Sequence, residues 1–240
     1  LRRPRRQRHE RARRFHAGRG GRVTGSDRAL DRGDYPEIRA ALERAGVTIL
    51  PQDGKAQSTD CDAVVVSTAV EDTVDDVRRA RELGLVILHR SELLARYVAE
   101  HRTVAVTGTS GKSTVTAMIF TILRGCGLDP RLLTGGALVD LQRDGHLGNA
   151  WGGDRPATAG TTPWLVMEAD ESDGSLVRYR PWCGVVLNLG RDHKETAEVA
   201  AMFTTFKANL AGPLLVGEDA NLDFLRDGAV TFGLGPGADV

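Results

Sequence analysis

The sequence predicts an α/β fold built from two parallel-sheet domains. From residue 23 onward, short β-branched runs alternate with amphipathic stretches, a pattern typical of βαβ units. Glycines follow the amphipathic stretches at Gly46 and Gly84, where helices commonly end. A new strand begins just after residue 100. The predicted segments are an arm at 1–22, a first domain at 23–100 and a second domain at 101–240.

The first domain is predicted to contain four strands and three helices. The strands are "RVTGSD" (22–27), "VTIL" (47–50), "DAVVVSTAV" (62–70) and "LVILH" (85–89). The helices are "YPEIRAALERAG" (35–46), "TVDDVRRARELG" (73–84) and "SELLARYVAE" (91–100). Ser91 is the predicted N-cap of the third helix, because serine at that position can accept a hydrogen bond from the first turn.

The second domain follows the same alternation of strand and helix. Its predicted strands are "TVAVTG" (103–108), "WLVMEAD" (164–170), "CGVVLNLG" (183–190) and "PLLVG" (213–217). Its predicted helices are "KSTVTAMIFTILRGCG" (112–127) and "KETAEVAAMFTTFKANL" (194–210). The glycine-rich stretch 135–163 between them predicts no more than a β-hairpin.

Charge and composition narrow the functional classes. Residues 1–22 hold ten arginines and one acid, so this arm carries +9 while the remainder of the neutral chain carries −9. We interpret the arm as disordered and solvated. It lacks interleaved aromatic residues, so we do not expect a nucleic-acid partner.

The sequence has no apolar run long enough for a membrane span, and its three scattered cysteines favour the reducing cytoplasm.

A glycine-rich turn between a strand and a helix predicts a phosphate site. The turn reads Gly108-Thr109-Ser110-Gly111-Lys112-Ser113-Thr114. Its glycines let backbone N–H groups converge on an anion at a helix N-terminus. Lys112 can reach the β- and γ-phosphates of a nucleotide, and the Ser113 hydroxyl can bind Mg²⁺. The turn is shorter than the common P-loop, since Val106 stands at the position of that motif's first glycine.

Two more predicted strands end in polar residues. "EADESD" (168–173) places carboxylates, including Glu168 and Glu171, after an apolar run, and "NLGRDH" (188–193) places Asn188 and His193 after another. The carboxyl ends of parallel strands share the edge of the sheet where ligands bind. A cluster of acids there predicts a metal ion or a basic partner. Taken singly, each stretch could also be an ordinary solvated loop.

In this order, "GTSGKS", "EADESD" and "NLGRDH" resemble the Mur ligase family of ATP-dependent ligases, and the likeness extends over about residues 18–240. In the first domain "RVTGSD", "AGVTIL" and "RARELGLVILHRSELL" resemble the family's Rossmann-like UDP-sugar-binding domain. That domain is incomplete here, because Arg22 and Val23 follow the glycines at 18–21 directly. The second domain resembles the family's P-loop-like ATP-binding domain.

The resemblance implies a reaction and its residues. A γ-phosphate of ATP would activate the carboxylate of UDP-N-acetylmuramate as an acyl phosphate, which the amine of L-alanine then attacks. Lys112 and His193 are the implied catalytic residues, and Ser113, Glu168, Glu171 and His193 the implied Mg²⁺ ligands. The implied nucleotide-binding residues are Gly108, Thr109, Ser110, Gly111, Lys112, Ser113, Thr114 and Asn188.

Two other interpretations remain open at this point. The family's third domain would begin near Val240, so we expect it to be missing or separate, and this chain could bind nucleotide without catalysing ligation alone. Alternatively the chain could be an unrelated P-loop kinase or NTPase. The shortened turn and the "EADESD" strand end are not the usual motifs of that class.

Overall fold

The structure, a computed structural model, describes residues 22–67, 70–146, 148–154, 160–190 and 195–240. Its strands, in chain order, are β1 Val23–Gly25, β2 Val47–Ile49, β3 Val64–Val66, β4 Ile87–His89, β5 Arg102–Thr107, β6 Arg131–Leu133, β7 Ala150–Trp151, β8 Trp164–Glu168, β9 Cys183–Val186, β10 Leu214–Gly217 and β11 Val230–Phe232. Its α-helices are α1 Arg28–Asp31, α2 Pro36–Arg44, α3 Asp75–Glu82, α4 Arg90–Glu100, α5 Lys112–Gly125, α6 Val139–Arg143 and α7 Thr196–Ala208. Short 3-10 helices span Ser175–Arg178 and Ala220–Leu225.

The chain divides into two compact units, of which the first contains the described residues up to Leu93 together with Val139–Gly152. In this unit β1 pairs in parallel with β2, and β3 pairs in parallel with β4. Leu30 of α1 and Leu42 of α2 form a buried cluster with Val47 and Ile49 of β2. This parallel arrangement confirms the predicted α/β class for the first part of the chain.

The second unit comprises Leu94–Leu138 and Gly153–Val240, and its parallel sheet contains the strand order β11-β10-β9-β5-β8-β6. One face carries Val104, Val106 and Val185, which pack with Val115 and Ile119 of α5. On the other face, a Cβ added at Gly184 would come within 2.8 Å of the Phe206 ring of α7. The sheet therefore lies between two helices, as an α/β fold requires.

The register of the central strands sets the position of the functional residues. β5 pairs with β8 so that Val106 lies opposite Glu168, and it pairs with β9 so that Thr107 lies opposite Val186. Because all three strands run in parallel, their carboxyl ends lie at one edge of the sheet. The segments that follow each strand therefore meet there.

The structure corrects two predictions. Helix α4 begins at Arg90, so Ser91 lies inside its first turn and is not the N-cap. Instead the Glu92 carboxylate accepts the His89 N–H at 2.7 Å, and the His89 ring accepts the Ser91 N–H. In the described part of 135–163, the predicted hairpin is replaced by helix α6 and the two-residue strand β7.

The predicted basic arm at 1–22 lies outside the described residues, except for Arg22. Within the described ranges, no helix combines the length and the apolar character needed to cross a membrane. The predicted domain boundaries at residues 22 and 100 remain predictions.

Candidate nucleotide site

The turn between β5 and α5 has a backbone that requires glycine at two positions. Gly108 has φ = 133° and Gly111 has φ = 80°, conformations that residues with a side chain rarely adopt. At Gly108 an added Cβ would also lie 3.1 Å from the backbone nitrogen of Asn188. Gly111 is the N-cap residue of α5 and provides no side-chain hydrogen bond to the first turn. The N-terminus of this 14-residue helix is therefore left without a side-chain cap, which suits an anion.

Lys112 lies at the start of α5 and is held by two partners. Its Nζ donates to the Gly108 carbonyl at 2.6 Å and to both carboxylate oxygens of Glu171, at 3.0 and 3.2 Å. The two side chains are only 13% and 6% exposed. Burial raises the pKa of Glu171, and the positive charge of Lys112 offsets part of that rise. The lysine is thus oriented over the turn by a carboxylate that a phosphate group could replace.

Ser113 and Glu168 meet beside this lysine. The Ser113 hydroxyl donates to Glu168 Oε2 at 2.8 Å. Glu168 Oε2 also accepts the Thr134 hydroxyl at 3.1 Å and the backbone N–H of Gly135. Because the Ser113 hydroxyl donates its hydrogen bond to the carboxylate, the lone pairs of its oxygen can still bind a cation.

Asn188 fastens the end of β9 to the turn. Its Oδ1 accepts the Thr109 hydroxyl at 2.8 Å and the Ser110 N–H at 2.9 Å, and its Nδ2 donates to the Ser110 carbonyl at 3.1 Å. The Gly190 N–H in turn donates to Thr109 Oγ1 at 2.9 Å. The side chain predicted to bind nucleotide is thus engaged in shaping the turn.

The predicted site residues are brought together in part. Thr114 is exposed in the first turn of α5. Glu171, predicted as a metal ligand, contacts Lys112, whereas Glu168 contacts Ser113. His193 lies outside the described residues, so its predicted role remains a prediction.

Four residues at the site were missed by sequence reasoning. Thr134 and Gly135 contact Glu168. The Asp219 carboxylate accepts the Leu189 N–H, and the Asn221 amide donates to the Leu189 carbonyl, both at 2.9 Å. A Thr-Gly pair after "RLL" could have indicated a strand end, but two leucines after an arginine are too short an apolar run to predict a strand. The contacts of Asp219 and Asn221 leave no local pattern in the sequence.

The donor atoms suit Mg²⁺ in the presence of a nucleotide. Across the described ranges, His, Cys, Asp and Glu side chains form no group of three or more able to hold a metal by themselves. Mg²⁺ commonly takes one or two protein oxygens and completes its shell with phosphate and water. The Ser113 hydroxyl and the Glu168 carboxylate can supply those oxygens.

Two family models match this chain. Residues 10–102 match the model of the Mur ligase family, catalytic domain, and residues 106–211 match that of the Mur ligase middle domain. The first match begins inside the arginine-rich segment.

The curated proteins to which the chain is similar include UDP-N-acetylmuramate–L-alanine ligases from several bacteria. The protein from Carboxydothermus hydrogenoformans is 35% identical over 196 residues, which are 80% of this chain and 39% of that protein. The protein from Trichormus variabilis is 42% identical over 147 residues, covering 60% and 27% respectively. The chain therefore spans between about a quarter and two fifths of the length of these relatives.

Solved structures that share the fold include two ligases. The UDP-N-acetylmuramate-alanine ligase MurC from Thermotoga maritima has a TM-score of 0.73 at 26% identity, covering 95% of this chain and 50% of that one. A UDP-N-acetylmuramate:L-alanyl-gamma-D-glutamyl-meso-diaminopimelate ligase from Neisseria meningitides has a TM-score of 0.75 at 24% identity, covering 92% and 72%. With two models of one family matching most of its length and its fold shared with members of that family, this chain belongs to the Mur ligase family.

Proposed function

We propose that this chain carries the ATP-binding site of an acid–amino acid ligase, which joins L-alanine to UDP-N-acetylmuramate during peptidoglycan precursor synthesis. The meeting of Lys112, Ser113 and Glu168 at the N-terminus of α5 is the observation that supports it most. The substrates are proposed from the names of the curated relatives. Three free cysteines support a reducing compartment, for which we propose the cytoplasm.

The first role of the site is to bind the triphosphate. The uncapped N-terminus of α5 and the backbone N–H groups of 109–111 would receive phosphate oxygens. Lys112 would exchange the Glu171 carboxylate for the β- and γ-phosphates, keeping a negative partner at its Nζ throughout. Asn188 would hold Thr109 and Ser110 in the binding conformation.

The second role is to hold Mg²⁺, through the Ser113 hydroxyl and the Glu168 carboxylate, with His193 proposed for a second ion. The bound ion would neutralise charge on the phosphates. The chain's own contribution is orientation, because phosphoryl transfer depends mostly on positioning and charge stabilisation. In the proposed reaction a carboxylate oxygen of UDP-N-acetylmuramate bonds to the γ-phosphorus and ADP leaves. The alanine amine then attacks the acyl carbon, and inorganic phosphate leaves.

An assay of ADP release tests the proposal. We expect release to require both UDP-N-acetylmuramate and L-alanine, in the chain extended to the full length of its relatives. Residues 1–240 alone are expected to give only trace ligation, since the acyl phosphate must be shielded from water. ATP binding without ligation in the extended protein would support the alternative of a nucleotide-binding protein without ligase activity. Absence of ATP binding would contradict both.

A further inference from the structure

We propose that Thr134 and Gly135 are positioning residues for Glu168, holding one carboxylate oxygen so that the other is presented to the cation. The inference rests on the proposed function, because it assigns a purpose to contacts around the proposed metal ligand. Neither residue touches Lys112 or the phosphate turn in the described hydrogen bonds.

Strand register places the two residues beside Glu168. β6 pairs in parallel with β8 so that Leu133 lies opposite Met167, one residue before Thr134 and Glu168 respectively. Both strands end at the edge of the sheet that carries the phosphate turn. Thr134 is fully buried, so its hydroxyl needs a partner, and Glu168 supplies it at 3.1 Å.

The three described hydrogen bonds to Glu168 all end on the same oxygen. Oε2 accepts from the Ser113 hydroxyl, the Thr134 hydroxyl and the Gly135 N–H. Three donors on one oxygen fix the rotation of the carboxylate plane and leave Oε1 as the oxygen for a cation. Partners behind a metal ligand act in this way, and their removal commonly lowers metal affinity about 10- to 100-fold.

Gly135 fits this role because a side chain there would displace the carboxylate. A Cβ built at Gly135 would lie 2.6 Å from Glu168 Oε2 and 2.8 Å from Oε1, closer than real Cβ contacts. Its φ lies outside the left-handed region, so conformational strain is not what requires glycine. The close approach of backbone to carboxylate is the reason.

Calorimetric titration with ATP, in Mg²⁺ and in EDTA, tests the inference on residues 1–240. Thr134→Val removes the hydroxyl while keeping the shape, and Thr134→Ser keeps the hydroxyl. We expect Thr134→Val to weaken binding roughly tenfold in Mg²⁺ and to leave it unchanged in EDTA. Thr134→Ser is expected to remain within about threefold of the wild type in both.

Gly135→Ala should weaken Mg²⁺-dependent binding at least as much as Thr134→Val. Its matched control is Gly125→Ala at the end of α5, where an added Cβ meets nothing within 4 Å. That control is expected to bind as the wild type does. If thermal melting shows that Gly135→Ala is unfolded, the two Thr134 variants decide the question.

The outcomes separate this inference from the proposed function. Wild-type binding that depends on Mg²⁺, with Thr134→Val unchanged, would overturn the positioning role and leave the nucleotide site standing. An equal loss in EDTA would overturn it as well, since Thr134 would then support the fold alone. Equal affinity of the wild type for ATP in Mg²⁺ and in EDTA would overturn both the inference and the proposed metal site.

Discussion

Lys112 and Glu171 form an ion pair whose two side chains are largely removed from water. Breaking such a pair on one side leaves a buried charge without its partner. Lys112 was predicted from the glycine turn, but its partner was not, since the two residues are 59 positions apart. Sequence spacing shows which strand end carries an acid, whereas the choice between Glu168 and Glu171 depends on side-chain direction after the strand. The sequence therefore predicted the set of charged residues but not their pairing.

We expect Lys112→Met to lower the free energy of unfolding by about 3 kcal/mol, because the Glu171 carboxylate is left buried and unpaired. The double variant Lys112→Met/Glu171→Gln removes both charges and should recover most of this loss. Urea denaturation measures both. Arg39→Met, which breaks an exposed pair with Glu43, is the control and should change stability by less than about 1 kcal/mol. A double variant as unstable as the single one would show that lysine packing, and not the charge, matters.

The buried thiol of Cys183 in β9 makes the free energy of unfolding depend on pH in the alkaline range. Burial raises the pKa of its thiol from 9.0 to about 11. Between pH 9 and pH 11 the thiol therefore keeps its proton in the folded state and loses it in the unfolded state. Its contribution to the free energy of unfolding is complete below pH 9 and is lost as pH rises through 11. The loss should be on the order of 3 kcal/mol. The free energy of unfolding of Cys183→Ala should not show this fall between pH 9 and pH 11. That of Cys126→Ala, which changes an exposed thiol, should still show it. An equal fall of the free energy of unfolding with pH in both variants would contradict the assignment of this loss to Cys183.

At the scale of elements, the site is made where parallel strands end. The fold class and the longer strands and helices were predicted because their apolar periodicity extends over many residues. β6 and β11 were missed, although β1 to β4 are also three residues each, because "RLL" and "VTF" are not part of a longer apolar run such as "AVVV" or "LVIL". The residues that follow β6 were missed with it. The contacts of Thr134 and Gly135 to Glu168 could be found only from the register of β6 and β8.

Asn188 joins the end of β9 to the phosphate turn, and its loss should affect the turn independently of metal. We expect Asn188→Ala to weaken ATP binding roughly tenfold in both Mg²⁺ and EDTA, because the Ser110 N–H loses its acceptor. Glu168→Gln should weaken binding in Mg²⁺ alone. Asn209→Ala, which removes a bond to the Val177 carbonyl, is the matched control and should leave ATP affinity unchanged. An Asn188→Ala effect confined to Mg²⁺ would mean that Asn188 acts through the metal.

At the scale of the whole molecule, the chain belongs to the Mur ligase family and spans between about a quarter and two fifths of its curated relatives' length. The family could be predicted from three short motifs because their order along the chain is specific even though each is brief. The proposed ligation depends on closure of the protein around an acyl phosphate. ATP binding is the step of the proposed reaction that the described site tests directly.

The most direct test is therefore ATP binding by residues 1–240, wild type against Lys112→Met/Glu171→Gln, measured by calorimetry in Mg²⁺. The double variant is chosen because it should remain folded while lacking the phosphate-binding charge. We expect the wild type to bind ATP and the double variant to bind at least roughly tenfold more weakly, the loss of a charged hydrogen bond. Equal affinity in the two proteins would contradict the assignment of the nucleotide site to Lys112.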